Sequence, residues 1–374
     1  MIGKYLQQPG GYQAFIPERF PPKGKFDFSS QVINLLSKAD LSVGKLDGIT
    51  QLVPDIDFFI FMYVRKEAVL STQIEGTRAT MIDSIKADAK FDANLPEDVG
   101  DILQYIKAMN LGLSKLETLP LSLRLIKEIH KTLLFGGRQT HYSDPGNFRK
   151  TQNWIGGNSP ETAQYVPPPP EEIVKSLGDI EKFFHEDSNT PSLIKAALIH
   201  SQFETVHPFL DGNGRVGRLL ITFYLCQQGV LERPVLYLSE YFKAHRETYF
   251  DMLHSYHQKG EVDRWISFFL QGVIEISKDA IDTSKKINDL YRKDLKRIQS
   301  MGRSTPKGTK ILENLYRLPV VNVNTIQKWL KTTRATANTY VNKFLELGML
   351  VQQDESVEYG RTFEYREYLD IFRG

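Results

Sequence analysis

From about Ser29 onward, apolar residues recur every three or four positions, the period of a helix packed on a core. SSQVINLLSKADLSVGKL (29–46), EDVGDILQYIKAMNLGLSKL (97–116) and LSLRLIKEIHKTLL (121–134) each carry this pattern and each predicts an amphipathic helix. Residues 1–28, rich in Gly, Pro and aromatics, predict an extended arm lying on the body. Between Phe135 and Pro170 the period disappears and Gly, Asn, Ser and Pro dominate. A long irregular segment between regular elements is usually functional. The helical pattern returns with EEIVKSLGDIEKFFHE (171–186) and persists to about Ile298, after which MGRSTPKGTK (301–310) reads as a linker. Beyond it, short helices at 308–318, 324–331 and 335–347 precede GMLVQQ, a polar turn and RTFEYREYL, which read as a two-stranded hairpin. Three helices and a hairpin in that order predict a winged helix-turn-helix. The expected fold is mainly α, a large helical body with a small C-terminal module.

Composition narrows the possibilities. The 374 residues are 41% apolar and 25% charged, as in ordinary globular chains, and leave room for two or three domains. Lys and Arg number 47 against 45 Asp and Glu, which excludes a uniformly basic coat. One local excess remains in 285–310, where Lys285, Lys286, Arg292, Lys293, Lys296, Arg297, Arg303, Lys307 and Lys310 face only Asp289 and Asp294. A single cysteine, Cys226, excludes an internal disulfide and a Cys-based zinc site. The start lacks the apolar core of a signal peptide, and the longest apolar run, Phe58 to Val64, is far too short to span a bilayer. A soluble, cytoplasmic protein with no membrane partner is expected.

The chemistry concentrates in IKAALIHSQFETVHPFLDGNGRVGRLLITF (194–223). Leu193, Ala196, Ile199, Phe203 and Val206 form one buried helical stripe, and Pro208 biases His207 away from helical geometry, so the helix should stop there. Gly212-Asn213-Gly214 is a turn where backbone can approach a ligand closely. A second helix follows with Val216, Leu219, Leu220 and Phe223 inward. A Gly-rich turn feeding a helix N-terminus is an anion site, because unpaired N–H groups and the helix dipole point at the ligand. Arg215 and Arg218 would add guanidinium clamps suited to phosphate. His207 and Asp211 flank the cradle, a base and a candidate metal carboxylate.

HPFLDGNGRVGR (207–218) resembles the signature of the Fic family, HPF-x-[DE]-GNGR-x-x-R, at all nine fixed positions. The resemblance implies a helical Fic-type fold with a β-hairpin flap, and transfer of AMP from ATP onto a Ser, Thr or Tyr hydroxyl of a target protein and of the enzyme itself. By the same carry-over His207 is the general base, Asp211 holds Mg²⁺, and Phe209 is a core plug. The segment Gly212, Asn213, Gly214, Arg215, Val216, Gly217 and Arg218 takes the phosphates. The chemistry is self-consistent: a neutral histidine can take a hydroxyl proton near pH 7, and departing pyrophosphate needs fixed positive charge. STQIEGT (71–77) further resembles the family's inhibitory motif, [ST]-x-x-x-E-[GN], through Ser71, Glu75 and Gly76. In that reading Glu75 pairs with Arg218 and occupies the place of the γ-phosphate, either within one chain or across a homodimer. Residues 145–170 resemble the family's flap, on which an extended target chain docks by strand addition. Tyr249 matches an adenine-side contact, whereas His257 stands where relatives often have Asn. The implied division is an inhibitory N-terminal region (1–100), a catalytic core (101–300) and the C-terminal module (301–374).

Other readings use the same residues. His200, Glu204 and His207 at i, i+4 and i+7 could present one metal-binding face, but no H-E-x-x-H spacing accompanies them. Glu204 reads more simply as a structural neighbour of the base. A nucleotide-sensing regulator could act on DNA through 305–374, where Asn338, Thr339 and Asn342 could reach base edges. Related enzymes transfer other phosphate-containing groups or remove AMP.

Overall fold

In a computed structural model of the chain, residues 2–21, 28–50, 56–89, 91, 95–136, 143–186 and 189–373 are described. The N-terminal segment is a hairpin rather than a simple extended arm: β1 (Gly3–Gln7) pairs antiparallel with β2 (Gln13–Pro17) in the register Tyr5 to Phe15. It lies on the body as expected, with Phe15 buried and its N–H donating to the carbonyl of Val166.

The helical body follows. α1 (Ser30–Thr50) lies along α11 (Val262–Gln299), the 38-residue spine of the molecule. α2 (Ile56–Ile74) packs on α4 (Val99–Leu116) and α9 (Ser239–Ala244), with α3 (Met81–Ala89) alongside. A boundary between residues 100 and 101 therefore falls inside α4. Buried Glu67 ties this layer together by accepting bonds from Tyr105 (2.9 Å) on α4 and Ser239 (2.5 Å) on α9. Burial pushes its carboxyl up to about 7 despite those bonds.

α5 (Leu123–Leu134) starts where Ser122 accepts from the Leu125 N–H, and α6 (Pro170–His185) starts on a proline, which needs no N–H in the first turn. α7 (Ser192–Val206) and α8 (Asn213–Gln227) form the central antiparallel pair, and α10 (Arg246–Lys259) packs on α7. α8 reaches α4 at Gly112, where a Cβ would lie 2.3 Å from the Phe223 ring. None of the described helices is long and apolar enough to cross a membrane.

The stretch 301–310 is not a linker. A 3₁₀ turn at Gly302–Ser304 leads straight into α12 (Thr305–Arg317), and Pro306 sits in its first turn, where proline favours a helix start. A short strand, β3 (Val320–Asn322), comes next, with α13 (Val323–Leu330) and α14 (Arg334–Glu346) after it. β4 (Val351–Gln352) and β5 (Thr362–Glu364) complete a three-stranded sheet of order β3-β5-β4. The second hairpin strand ends at Glu364, since Arg366–Arg373 is a helix, α15, packed on α11. That packing uses part of the basic run: Lys293 and Arg297 both pair with Glu367, and Arg297 also pairs with buried Asp294.

Gly112→Ala should force the α4–α8 contact apart and destabilise the protein by about 1–3 kcal/mol, read as a lower thermal midpoint with secondary structure retained.

Candidate active site

α7 ends at Val206, and His207 takes the left-handed conformation, φ 47° and ψ 59°. The helix stops where Pro208 said it should, with His207 outside right-handed helical geometry, in the left-handed region. Three contacts hold it there. The His207 N–H donates to the Phe203 carbonyl at 2.9 Å, and its own carbonyl accepts from Arg149 Nε (2.9 Å) and Asn153 Nδ2 (3.3 Å). Arg149 also donates to the Val206 and Pro168 carbonyls, so one buried guanidinium caps α7 and fastens both ends of the flap.

The loop after His207 is equally fixed. Asn213 accepts from the Phe209 N–H and donates to the Phe209 carbonyl, both at 2.8 Å, which makes its side chain a buckle. Phe209 is fully buried and stacks on His130 at 3.6 Å. His130 accepts from the Gly146 N–H at Nδ1 (2.8 Å), so its proton sits on Nε2, which donates to the Asp211 carbonyl (3.0 Å). Gly212 has φ 79°, and α8 opens behind it with no side-chain cap; its first intrahelical bond runs from Val216 N–H to Gly212 carbonyl. The amides of Asn213, Gly214 and Arg215 are therefore left without an intrahelical acceptor and form the cradle, whereas the Gly212 N–H donates to Asp211 Oδ1 at 2.6 Å.

Arg218, one turn into α8, is buried. Its Nε donates to Ser71 Oγ (2.8 Å), and one terminal nitrogen donates to the Ser71 carbonyl (2.9 Å) and to Glu75 Oε1 (2.7 Å). Ser71, Glu75 and Arg218 thus meet within one chain. Gly76, with φ 94°, makes the turn that ends α2 beside the cavity. Burial raises the Glu75 carboxyl, but the Arg218 charge and hydrogen bond, helped by Arg215 and His207, leave it below its ordinary value. Arg246 donates to the Ile74 carbonyl at 3.3 Å and holds the end of α2 in place.

All this surrounds one cavity of about 940 Å³, lined by Glu75, His207, Asp211, Gly212, Asn213, Gly214, Arg218 and Tyr249, with Trp154, Tyr165, Arg246 and His257 on its other walls. A nucleotide-sized ligand fits such a volume. Three of the residues expected to take the phosphates do not line it. Val216 is fully buried core. Gly217 faces Glu204, whose Oε1 would lie 2.2 Å from a Cβ at that position. Arg215 turns to Asp211, 3.3 Å from both carboxylate oxygens. Tyr249 lines the cavity, but its hydroxyl is committed to His200 Nε2 at 2.8 Å, leaving the ring for contact. The flap is less regular than a hairpin: its described pairing is one bridge between Ile155 and Tyr165, and Tyr165 is anchored by a 2.7 Å bond to the Thr205 carbonyl. Residues 137–142, ahead of the flap, lie outside the described residues. No group of three or more His, Cys, Asp or Glu side chains among the described residues could hold a metal by itself.

Comparison with known proteins gives this geometry a family. Residues 120–225 match the Fic/DOC family and residues 33–114 match the Fic/DOC family N-terminal region. A probable protein adenylyltransferase of Aquifex aeolicus is 26% identical over 51% of this chain and 57% of the relative. The protein adenylyltransferase Fic of Drosophila grimshawi is 30% identical over 42% of this chain and 32% of the relative. The matches therefore span about half and about a third of these relatives' own lengths. In fold, a Fic family protein from Desulfovibrio desulfuricans G20 superposes with a TM-score of 0.59, at 18% identity over 91% of this chain and 97% of the other. A Fic domain containing signaling protein from Bacteroides thetaiotaomicron gives 0.53, at 20% identity over 68% and 97%. The chain belongs to the Fic/DOC family.

Burial holds four imidazoles of this region below their ordinary value, His130 and His207 at about 4, His200 and His257 at about 3. Each folded value lies below the unfolded value of about 6.5. Each histidine therefore withdraws stability as the pH falls from about 6.5 towards its folded value. Glu67 and Glu204, raised by burial, act in the opposite sense between about pH 8 and 4.5, but the imidazoles outnumber them. We expect none of the four rings to titrate above about pH 5 by NMR, and the thermal midpoint to fall from pH 6 to 4.5. A midpoint above 6 for any of them would contradict its burial.

Proposed function

We propose that this protein transfers AMP from ATP to a Ser, Thr or Tyr hydroxyl of a target protein, and to itself, and that Glu75 restrains it. The observation that carries this reading is the convergence on one cavity of His207, the uncapped N-terminus of α8 and Arg218 already holding a carboxylate. The relatives' names point the same way. His207 is kept neutral, first by burial and then by the Arg149 charge, which suits a base acting near pH 7. The amides at the start of α8 and the Arg218 guanidinium would take the phosphates and steady the charge on departing pyrophosphate. Asp211 fits a Mg²⁺ ligand: its carboxylate lies on the cavity wall, with 36% of the side chain exposed, beside the phosphate cradle. Mg²⁺ bound there would neutralise phosphate charge. Trp154 and Ile155, both partly exposed at the flap, would bracket an extended target chain.

Restraint follows from competition. Glu75 Oε1 sits against both Arg218 and Gly214, where a Cβ on Gly214 would lie 2.3 Å from it. A terminal phosphate reaching Arg218 would need that space and that guanidinium. Glu75→Gly should raise self-modification by about tenfold or more, equivalent to about 1.4 kcal/mol or more. His207→Ala in that background should abolish it. Intact mass after incubation with ATP and Mg²⁺ reads both. An unchanged Glu75→Gly protein that binds ATP would sink the restraint, and an active His207→Ala protein would sink the base.

The C-terminal module supports a second, compatible reading. We take α12 to α14 with β3, β4 and β5 as a winged helix that contacts DNA. Arg334 and Asn338 of α14, Asn322 and Asn324 before it, and Arg361 of the β4–β5 turn line one shallow depression. Lys343 does not join them, because it turns back to Ser304. Fluorescence anisotropy with random duplex DNA should show salt-sensitive binding that weakens about tenfold in Arg334→Ala/Arg361→Ala. Equal binding by that variant would exclude this face.

A further inference from the structure

Glu204 is the buried acid that the reaction above leaves without a task. It lies on the last turn of α7, three residues before His207, and lines the same cavity. Its Oε2 is 3.8 Å from His207 Nδ1, beyond hydrogen-bond length. His207 Nδ1 and Glu204 Oε1 are both buried without a hydrogen-bond partner. Gly217 keeps the space open for that oxygen, since any side chain there would strike it. The groups facing Glu204 are Arg218 and Gly217 from α8, Glu75 from the end of α2, Tyr249 from α10, and His200 and His207 on its own segment. Burial raises its carboxyl to about 8, with Arg218 pulling it down and Glu75 pushing it up.

A purely structural carboxyl would be an odd choice here. An apolar side chain of the same size would fill the site without leaving a buried oxygen unpaired. An orphaned ring nitrogen, His207 Nδ1, with the Glu204 carboxyl 3.8 Å away, instead describes a contact that is incomplete in the restrained state.

We propose that Glu204 is the positioning residue of the base: its carboxyl accepts the Nδ1–H of His207, which leaves the Nε2 lone pair for the target hydroxyl and steadies the imidazolium. This rests on His207 being the base. In the transfer, the hydroxyl oxygen bonds to the α-phosphorus as the α–β anhydride bond breaks and pyrophosphate leaves. The hydroxyl proton goes to Nε2, and the resulting imidazolium must donate from both nitrogens. The acceptors nearest Nδ1 belong to Glu204, its main-chain carbonyl and its carboxyl.

The test uses the full chain in the Glu75→Gly background. Without ATP, the ¹⁵N shifts of the His207 ring at pH 7, assigned by their loss in His207→Ala, report its tautomer. We expect the Nδ1–H form with Glu204, a mixture in Glu204→Leu, and the Nδ1–H form again in Glu204→Gln, whose amide oxygen still accepts. With ATP, Glu204→Leu should lose about tenfold to a hundredfold in kcat with KM for ATP within about twofold. Glu204→Gln should fall between the two, and Gly217→Ala, which pushes the intact carboxyl aside, should resemble Glu204→Leu. The proposal fails if the tautomer is the same in all variants, or if kcat in both Glu204 variants stays within about twofold of the parent. The tautomer measurement needs neither donor nor target, so its failure is distinct from failure of the AMP-transfer reading.

Discussion

A guanidinium buried in the middle of a helical protein cannot be left alone. Arg218 is charged at every accessible pH, and stripping it of partners costs about 3–5 kcal/mol. Ser71 supplies two acceptors, but both are neutral, so the charge itself must be met by an anion from elsewhere. In the structure that anion is Glu75. Because α2 delivers it, the N-terminal helices are part of the site and not an accessory to it. Any ligand that takes Glu75's place must bring negative charge of its own.

The second constraint is geometric. A left-handed non-glycine residue survives only where its surroundings over-determine it. Arg149, Asn153 and the Phe203 carbonyl do this for His207, while Asn213 and His130 do it for the loop that follows. The imidazole therefore hangs from a backbone that has almost no freedom, and the flap that supplies Arg149 and Asn153 is built from the same bonds that set His207.

Local patterns were readable where local physics decides. The apolar period located α1, α4, α5 and α6 to within a few residues, and the cradle was legible because its glycine turn and Arg218 lie within twelve residues of sequence. Residues acting across distance were not. Arg149 and His130 are ordinary in sequence and become informative only when folding brings them 58 and 81 positions along the chain to His207 and Asp211. The pairing of Glu75 with Arg218 spans 143 positions and was accessible only through likeness to a family. Composition misled at 301–310, where Gly, Ser and Pro read as a linker although a proline in a first turn starts a helix. Alternation misled at Arg366, where packing of α15 on α11 overrode a strand-like pattern.

The N-terminal hairpin carries a practical consequence. Phe15 packs against the rings of Tyr165 and His257, 6.1 Å and 5.7 Å away, and so forms the outer shell of the cavity's far wall. Ile2 is buried and its carbonyl accepts from the Glu18 N–H. Removal of β1, the strand that holds Phe15 in register, would loosen that wall of the cavity. The cavity would then change shape with every residue of the signature segment intact.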